Sequence, residues 1–197
     1  SSEGEGIEKN KRKAAHYYKL AADQGEPKAM LYYAIMLSIG DGIEKNKKEA
    51  AKYFKLSSDQ GNIEAMTRYA DMLSKGDVIG LDKIEASKLY QYAADHGNVD
   101  SMYKYALMLD EGDGISENKE EASKYYKLSI DNGNAKAMFK YAEMLSKGGI
   151  VEIKKSEEAH YYKLAADQGH VNSMYKYGMM LSNGDGIETN EKEAARS

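Results

Sequence analysis

Apolar and small residues recur along this chain in two alternating helical stripes. In "KAMLYYAIML" (Lys28–Leu37), positions 29, 30, 33, 34 and 37 hold Ala, Met, Tyr, Ala and Leu, the spacing of one buried helix face. In "KKEAAKYFKLSSDQ" (Lys47–Gln60), Ala50, Tyr53, Phe54 and Ser57 form a second stripe. Gly40-Asp41-Gly42 parts the two, and Gly61 closes the second, because glycine tolerates the backbone angles that end helices. No window alternates as a strand would. The spacing predicts helices over 11–24, 28–39, 47–60, 64–75, 83–96, 100–111, 119–132, 136–147, 155–168 and 172–183, with short turns between them.

The pattern is also periodic. Gly25, Gly61, Gly97, Gly133 and Gly169 stand 36 residues apart, as do Met30 through Met174, Tyr33 through Tyr177 and Gly40 through Gly184. No insertion breaks the register. Self-similarity at this period marks an all-α, α/α solenoid of helix-turn-helix units, each too small to fold alone. The expected division is a partial repeat over 1–25 (a second helix), repeats over 26–61, 62–97, 98–133 and 134–169, and an incomplete repeat over 170–197. Together they are expected to form one repeat domain wound as a right-handed superhelix. Ser1 falls where the first helix of a preceding unit should be ending, and Arg196 and Ser197 fall inside a second helix, so the chain reads as an excised piece. Small residues at 29, 34, 50 and 51 face large ones at 30, 33, 37, 53 and 54. Such pairing lets helices approach closely at interior density, which assigns the Met and Tyr stripes to the core.

These residues resemble the Sel-1-like repeat, an α/α module related to the tetratricopeptide repeat. Ala29, Gly40, Gly42, Ile43, Asn46, Ala50, Tyr53, Phe54 and Gly61 match or closely substitute its pattern, and "HYYKLAADQG" occurs twice, at His16–Gly25 and His160–Gly169. A plain tetratricopeptide repeat steps by 34 residues and lacks the Gly-x-Gly turn. The family's Leu-Gly pair is Tyr33-Ala34 here, and its later Tyr is Leu37, a swap one helical turn apart. The third turn replaces the second glycine by Val78. The fifth has Ile150 there and Glu158 at an alanine position. Those two turns are expected to deviate most. The resemblance implies that first helices line a concave wall. It also implies that such proteins act as non-enzymatic scaffolds or adaptors that organise complexes.

Charge and chemistry narrow the reading. The formal net charge of −4 and pI near 5.7 argue against nucleic acid, which needs a basic face. No apolar run is long enough to span a membrane. No cysteine is present, so thiol chemistry is excluded and a reducing compartment such as the cytoplasm is compatible. His16 and His160 occupy a column held elsewhere by Lys52, Lys88, Lys124 and Arg196, and His96 and His170 sit at ordinary variable positions. A catalytic or metal site needs convergent partners; none is expected, and no cofactor. Asp23, Asp59, Asp95, Asp131 and Asp167 recur once per unit, so a local structural role is expected, such as an inter-repeat hydrogen bond.

The columns that vary point to a partner. Opposite the core stripe, position 31 reads Leu31, Thr67, Tyr103, Phe139, Tyr175. Position 32 reads Tyr32, Arg68, Lys104, Lys140, Lys176, and position 35 reads Ile35, Asp71, Leu107, Glu143, Met179. Aromatics and aliphatics beside a cationic column mark an interaction surface; burial of position 31 between neighbouring first helices is the other reading. The candidate partner-binding residues are Leu31, Tyr32, Ile35, Arg68, Tyr103, Lys104, Leu107, Phe139, Lys140, Glu143, Tyr175, Lys176 and Met179, with the main hot spot in the last three repeats. A protein or peptide ligand is expected, acidic to suit the cations. End-to-end self-association through uncapped ends is a further possibility. Two alternatives stay open: a docking or regulatory part of a larger multidomain protein, and a β-lactam-binding, enzyme-like relative of the kind the resemblance includes. Gly112→Val is expected to cost about 1 kcal/mol or more through strain at a left-handed turn position, read as a lowered midpoint in thermal melting.

Overall fold

The computed structural model describes residues 2–148 and 155–186. Ten α-helices follow one another: α1 (Ser2–Asp23), α2 (Pro27–Ile39), α3 (Lys47–Asp59), α4 (Ile63–Lys75), α5 (Lys83–Asp95), α6 (Val99–Glu111), α7 (Lys119–Asp131), α8 (Ala135–Lys147), α9 (Lys155–Asp167) and α10 (Val171–Asn183). No strand occurs among the described residues. The architecture is an all-α helical-repeat solenoid, with even-numbered helices as first helices and odd-numbered ones as second. The chain divides into two compact units, Ser1–Ser101 and Met102–Ser197.

Local chemistry places each helix. Asn46, Asp82 and Asn118 cap α3, α5 and α7 by accepting from the backbone N–H of Glu49, Glu85 and Glu121 at 2.9, 3.0 and 3.1 Å. A side-chain acceptor at this position satisfies an N–H that the helix leaves free, and the glutamate three residues on favours the same start. Asn62 and Asn98 do the same for α4 and α6, and Pro27 opens α2, where no N–H is needed. Each second helix ends in one recurring motif. The N–H of Asn62, Asn98 and Asn134 returns to the carbonyl five residues back at 3.1, 2.9 and 3.0 Å, around glycines at φ 92°, 94° and 92°. That 6→1 bond with a left-handed glycine is the Schellman ending.

The first helices end on Gly40, Gly76, Gly112, Gly148 and Gly184, all at positive φ. The second glycine of the turn has a different reason. A methyl at Gly42 would stand 2.6 Å from the Lys11 carbonyl carbon, and one at Gly186 would stand 2.4 Å from that of Lys155. The turn therefore lies against the backbone at the start of the preceding second helix, too close for a Cβ. In the third turn Val78 takes this place at negative φ, so that turn departs from the others as expected. Of the fifth turn, Ile150 lies outside the described residues, and Gly148 has φ 78° with ψ −171° where the other caps are left-handed.

One expectation is corrected. The helix predicted over 11–24 begins at Ser2 and runs through Gly4 and Gly6, the counterparts of the turn glycines. Elsewhere that turn is fastened to the first helix by Asp41 N–H to Met36 O (3.0 Å) and Asn46 N–H to Leu37 O (2.8 Å).

Packing in each unit follows the small-for-large interlock. In the first unit Ala34, Ala50, Ala65 and Ala70 are wholly buried, and Met30, Tyr33, Leu37, Tyr53 and Phe54 close around them. In the second, Ala106, Ala122, Ala137 and Ala142 take those places. Within this frame the rings of Tyr33 and Tyr53 meet edge to face at 4.9 Å and 89°. Tyr105–Tyr125 and Tyr141–Tyr161 repeat the geometry at 4.8 and 4.6 Å, a pairing worth ~1 kcal/mol beyond area burial.

Tyr53 also donates its hydroxyl to Asp23 at 2.8 Å, tying the second helices of successive repeats. This is the inter-repeat role expected of the aspartate column. Asp59 keeps only the pair with Lys55 at 3.1 Å, the counterpart of Lys19–Asp23 at 3.0 Å, and Leu89 stands at the repeat position of Tyr53. The bond from Tyr53, and next that from Lys19, hold the Asp23 carboxyl below its ordinary 3.8. Burial, with the Asp23 bond second, pushes the Tyr53 phenol up, so it stays a neutral donor.

Two outcomes follow. Gly61 has positive φ and open space at its Cβ position, so Gly61→Ala should cost only the ~1 kcal/mol of a left-handed alanine. Gly42→Ala should cost that plus ~1–3 kcal/mol for overpacking against Lys11, giving the lower melting temperature of the two. A carboxyl whose pKa is lowered by folding stabilises above its unfolded value and loses that contribution as pH falls through the lowered one. Tyr53→Phe should therefore shift the Asp23 carboxyl upward in an NMR titration. It should also flatten the decline of melting temperature below pH 3.8 relative to the wild type.

Candidate functional site

The caps that start the first helices also fix which columns face outward, and those columns can be followed by burial. Position 31 is divided. Leu31 is 3% exposed and part of the first unit's core, and Thr67 is 8% exposed. Leu31 is therefore corrected from a partner contact to a core residue: it closes on Met30, Ala34 and Ala65 between consecutive helices, leaving a ligand no surface. In the second unit the column opens. Tyr103 and Phe139 are half-buried, Phe139 stacking on His170 at 4.1 Å and 25°. Tyr175 is 67% exposed.

The cationic column is partly neutralised by its own helices. Arg68 pairs with Glu64 at 3.2 Å, and Lys140 lies 3.9 Å from Glu143, which also takes Lys147 at 3.3 Å. Exposed pairs of this kind contribute at most ~1 kcal/mol and yield to a better-placed partner. Tyr32 is exposed and tilts against Tyr18 at 5.5 Å; Lys104 is half-buried and Lys176 exposed. At position 35, Ile35 and Leu107 are half-buried and Met179 is exposed. Asp71 accepts the Tyr90 hydroxyl, and burial followed by this bond pushes that phenol up. Within the second unit, α6, α8 and α10 each place an aromatic beside a lysine; within the first, α2 and α4 bring Tyr32, Ile35 and Arg68 to the outward columns.

The histidines have local roles. His16 and His160 meet Tyr17 and Tyr161 edge to face. His96 stacks on Tyr92 at 4.0 Å, and His170 caps α10 through Ser173 N–H at 3.2 Å. Among the described residues no group of His, Asp or Glu has the arrangement of a metal site, and no helix is long and apolar enough to cross a membrane.

Reading the varying columns missed a groove in the first unit, enclosed by the ends of α2 and α4 and the start of α3. It measures about 200 Å³ and carries Lys47, Arg68 and Lys75 beside Phe54 and Met72. Of these Arg68 and Lys75 lie in varying columns of the first helix, and only the column of Arg68 was among those read as outward. The signal that could have found the groove lies across columns: a lysine is retained at 11, 47, 83, 119 and 155, while the residue nine positions before it is Ser38, Ser74, Asp110 and Ser146 and the residue three positions after it is Ala50, Ala86, Ala122 and Glu158.

Comparison with known proteins agrees with this geometry. The Sel1 repeat profile matches residues 1–26, 27–62, 63–98, 99–134, 135–170 and 171–196. No curated protein sequence matches the chain. Among solved structures, a protective antigen of uropathogenic Escherichia coli displaying an SLR fold is 26% identical, with a TM-score of 0.81 over 94% of this chain. The chain spans only 41% of that antigen's length. A Sel1 repeat protein from Oxalobacter formigenes is 28% identical (TM-score 0.73), covering 98% of this chain and 80% of that one. Helicobacter pylori cysteine-rich protein B shares the fold at 20% identity and a TM-score of 0.51, over 66% of this chain and 93% of its own. With its whole repeated length matched in phase and its turns, caps and small-residue columns accounted for, the chain belongs to the Sel1 repeat family.

Proposed function

We propose that this chain is a non-catalytic protein-interaction module that holds an acidic peptide segment on the face of its first helices. Sel1 repeats commonly serve as protein–protein interaction modules, which supports the coarse reading. The observation that carries the finer one is the aromatic–lysine pair repeated in the second unit: Tyr103-Lys104, Phe139-Lys140 and Tyr175-Lys176. None of these rings is fully buried, so each keeps some surface to offer, Phe139 while also packing against the second unit's core. A half-exposed ring offers area to an apolar side chain while the adjacent ammonium steers an acidic one. Leu107 and Met179 extend the apolar part, and Glu143 sets the register by opposing acids at one place.

Arrays of acidic ten-residue peptides probed with wild type and with the Phe139→Ala, Lys140→Glu double variant test this reading. Circular dichroism should first show both proteins equally helical. The variant should bind retained peptides at least tenfold more weakly; unchanged affinity across the array removes the second unit's face from consideration.

A further inference from the structure

In three repeats the lysine that opens the second helix is met by a carboxylate. Lys11 is paired with Asp41 of the following turn at 2.8 Å. Lys119 is paired with Asp110 at 2.5 Å and also bonds the Asp110 carbonyl at 2.8 Å; both side chains are largely buried. Lys155 lies 3.5 Å from Glu158, whose side chain is 8% exposed. Three different repeat positions supply these acids: the turn after the first helix, the last turn of the first helix, and the first turn of the second. The environment of this lysine thus selects a carboxylate repeatedly, by whichever route the local sequence allows.

Lys47 has none. Its counterpart of Asp110 is Ser38, whose hydroxyl is turned to its own Ile35 carbonyl at 2.8 Å. Its counterpart of Glu158 is Ala50. Its counterpart of Asp41 is Asp77, in the turn where Val78 replaces the close-packing glycine. Asp77 borders the same groove, yet among the described residues no carboxylate comes within ion-pair distance of Lys47. The result is the open groove of about 200 Å³. Three cations, Lys47, Arg68 and Lys75, line it against two acids, Asp71 and Asp77, and Asp71 is engaged by Tyr90. In the second unit the same repeat positions (Ser146, Lys155, Tyr162, Lys176 and Met180) border a smaller cavity of about 130 Å³, with Glu158 on its wall. There the protein's own acid takes the place.

On the reading of the chain as a peptide-binding module, we infer that the Lys47 groove is a subsite for an aspartate or glutamate side chain of the bound segment. Lys47 and Arg68 hold the carboxylate, and Phe54 and Met72 take its methylenes. Asp110 and Glu158 are internal models of the occupant. A partly enclosed carboxylate–lysine contact gives specificity through charge complementarity, and a glutamine in its place leaves the ammonium without a counter-charge.

The test uses the full chain and a fluorescein-labelled, C-terminally amidated hexapeptide of alternating glutamate and leucine, with the glutamine–leucine peptide as control, read by anisotropy at about 50 mM and about 150 mM salt. Ser38→Asp refills the groove as Asp110 does at Lys119, and Lys47→Gln removes the cation. Lys88→Gln, on the exposed side of α5, changes net charge as much without touching the groove. Ser38→Asp and Lys47→Gln should each weaken the acidic peptide at least tenfold. Lys88→Gln should leave it unchanged, and the glutamine peptide should bind poorly throughout. Equal loss in all three variants assigns the binding to general charge and overturns the subsite, as does wild-type affinity in both groove variants. The Phe139→Ala, Lys140→Glu variant separates the two readings. If it alone loses the peptide, the subsite falls and the second unit's face stands; if it keeps the peptide while the groove variants lose it, the reverse holds. Absence of wild-type binding overturns both.

Discussion

Everything in this protein depends on how closely consecutive helices approach, and that distance is set by columns of small side chains. Ala34, Ala70, Ala106 and Ala142 on the first helices, and Ala50, Ala86 and Ala122 on the second, have no exposed surface. Ser57, Ala93, Ser129 and Ala165 form a third such column. A larger residue at one of them must find room at that helix contact, as Glu158 does in the column of Ala50, or forfeit dispersion contacts there. With the separation fixed, the tyrosines at 33 and 53 meet edge to face, and Ser57 reaches the Pro27 carbonyl at 2.7 Å. The turn can then lie on the preceding second helix without a side chain between them. These features recur because their common cause recurs.

Where the columns are broken, the consequences are local. Val78 in place of glycine alters one turn, and the nearby Lys47 is left without the counter-ion that Lys11 has. Leu89 in place of tyrosine removes one hydroxyl, and Asp59 keeps only the lysine pair that Asp23 also makes. Glu158 in place of alanine brings a buried acid, which Lys155 answers. Each unit of a repeat protein packs only on its neighbours, so a substitution is absorbed within one step of the repeat. This is how a uniform scaffold acquires individual sites: the exceptions carry no fold-wide cost and each creates a distinct surface.

The outward columns and the groove make different physical demands on a partner. The column of aromatics and lysines offers area and diffuse charge, and its lysines are already partly answered by Glu143. The groove offers a cleft edged by exposed cations, one of which, Lys47, has no ion partner among the described residues. Affinity from the first comes mostly from apolar burial, and discrimination from the second comes from the charge and length of one side chain.

The period, helix order, glycine punctuation and core stripes could all be read along the chain, because they are local or repeated: a helix face, a cap and a left-handed glycine are specified within a few residues, and the repeat displays each several times. The bounds of α2 to α10 fell within a residue of expectation, and the start of α1 did not: it runs through Gly4 and Gly6. The outward columns were legible as variable positions, but their exposure was not. Leu31 and Tyr175 share a column and differ from core to open surface, because burial depends on what packs against a helix and not on the helix itself. The Lys47 groove was hidden for the same reason. Its lysine, its missing acid and its altered turn lie at 47, 38, 50 and 77, and only the folded packing of α2, α3 and α4 brings those positions to one place.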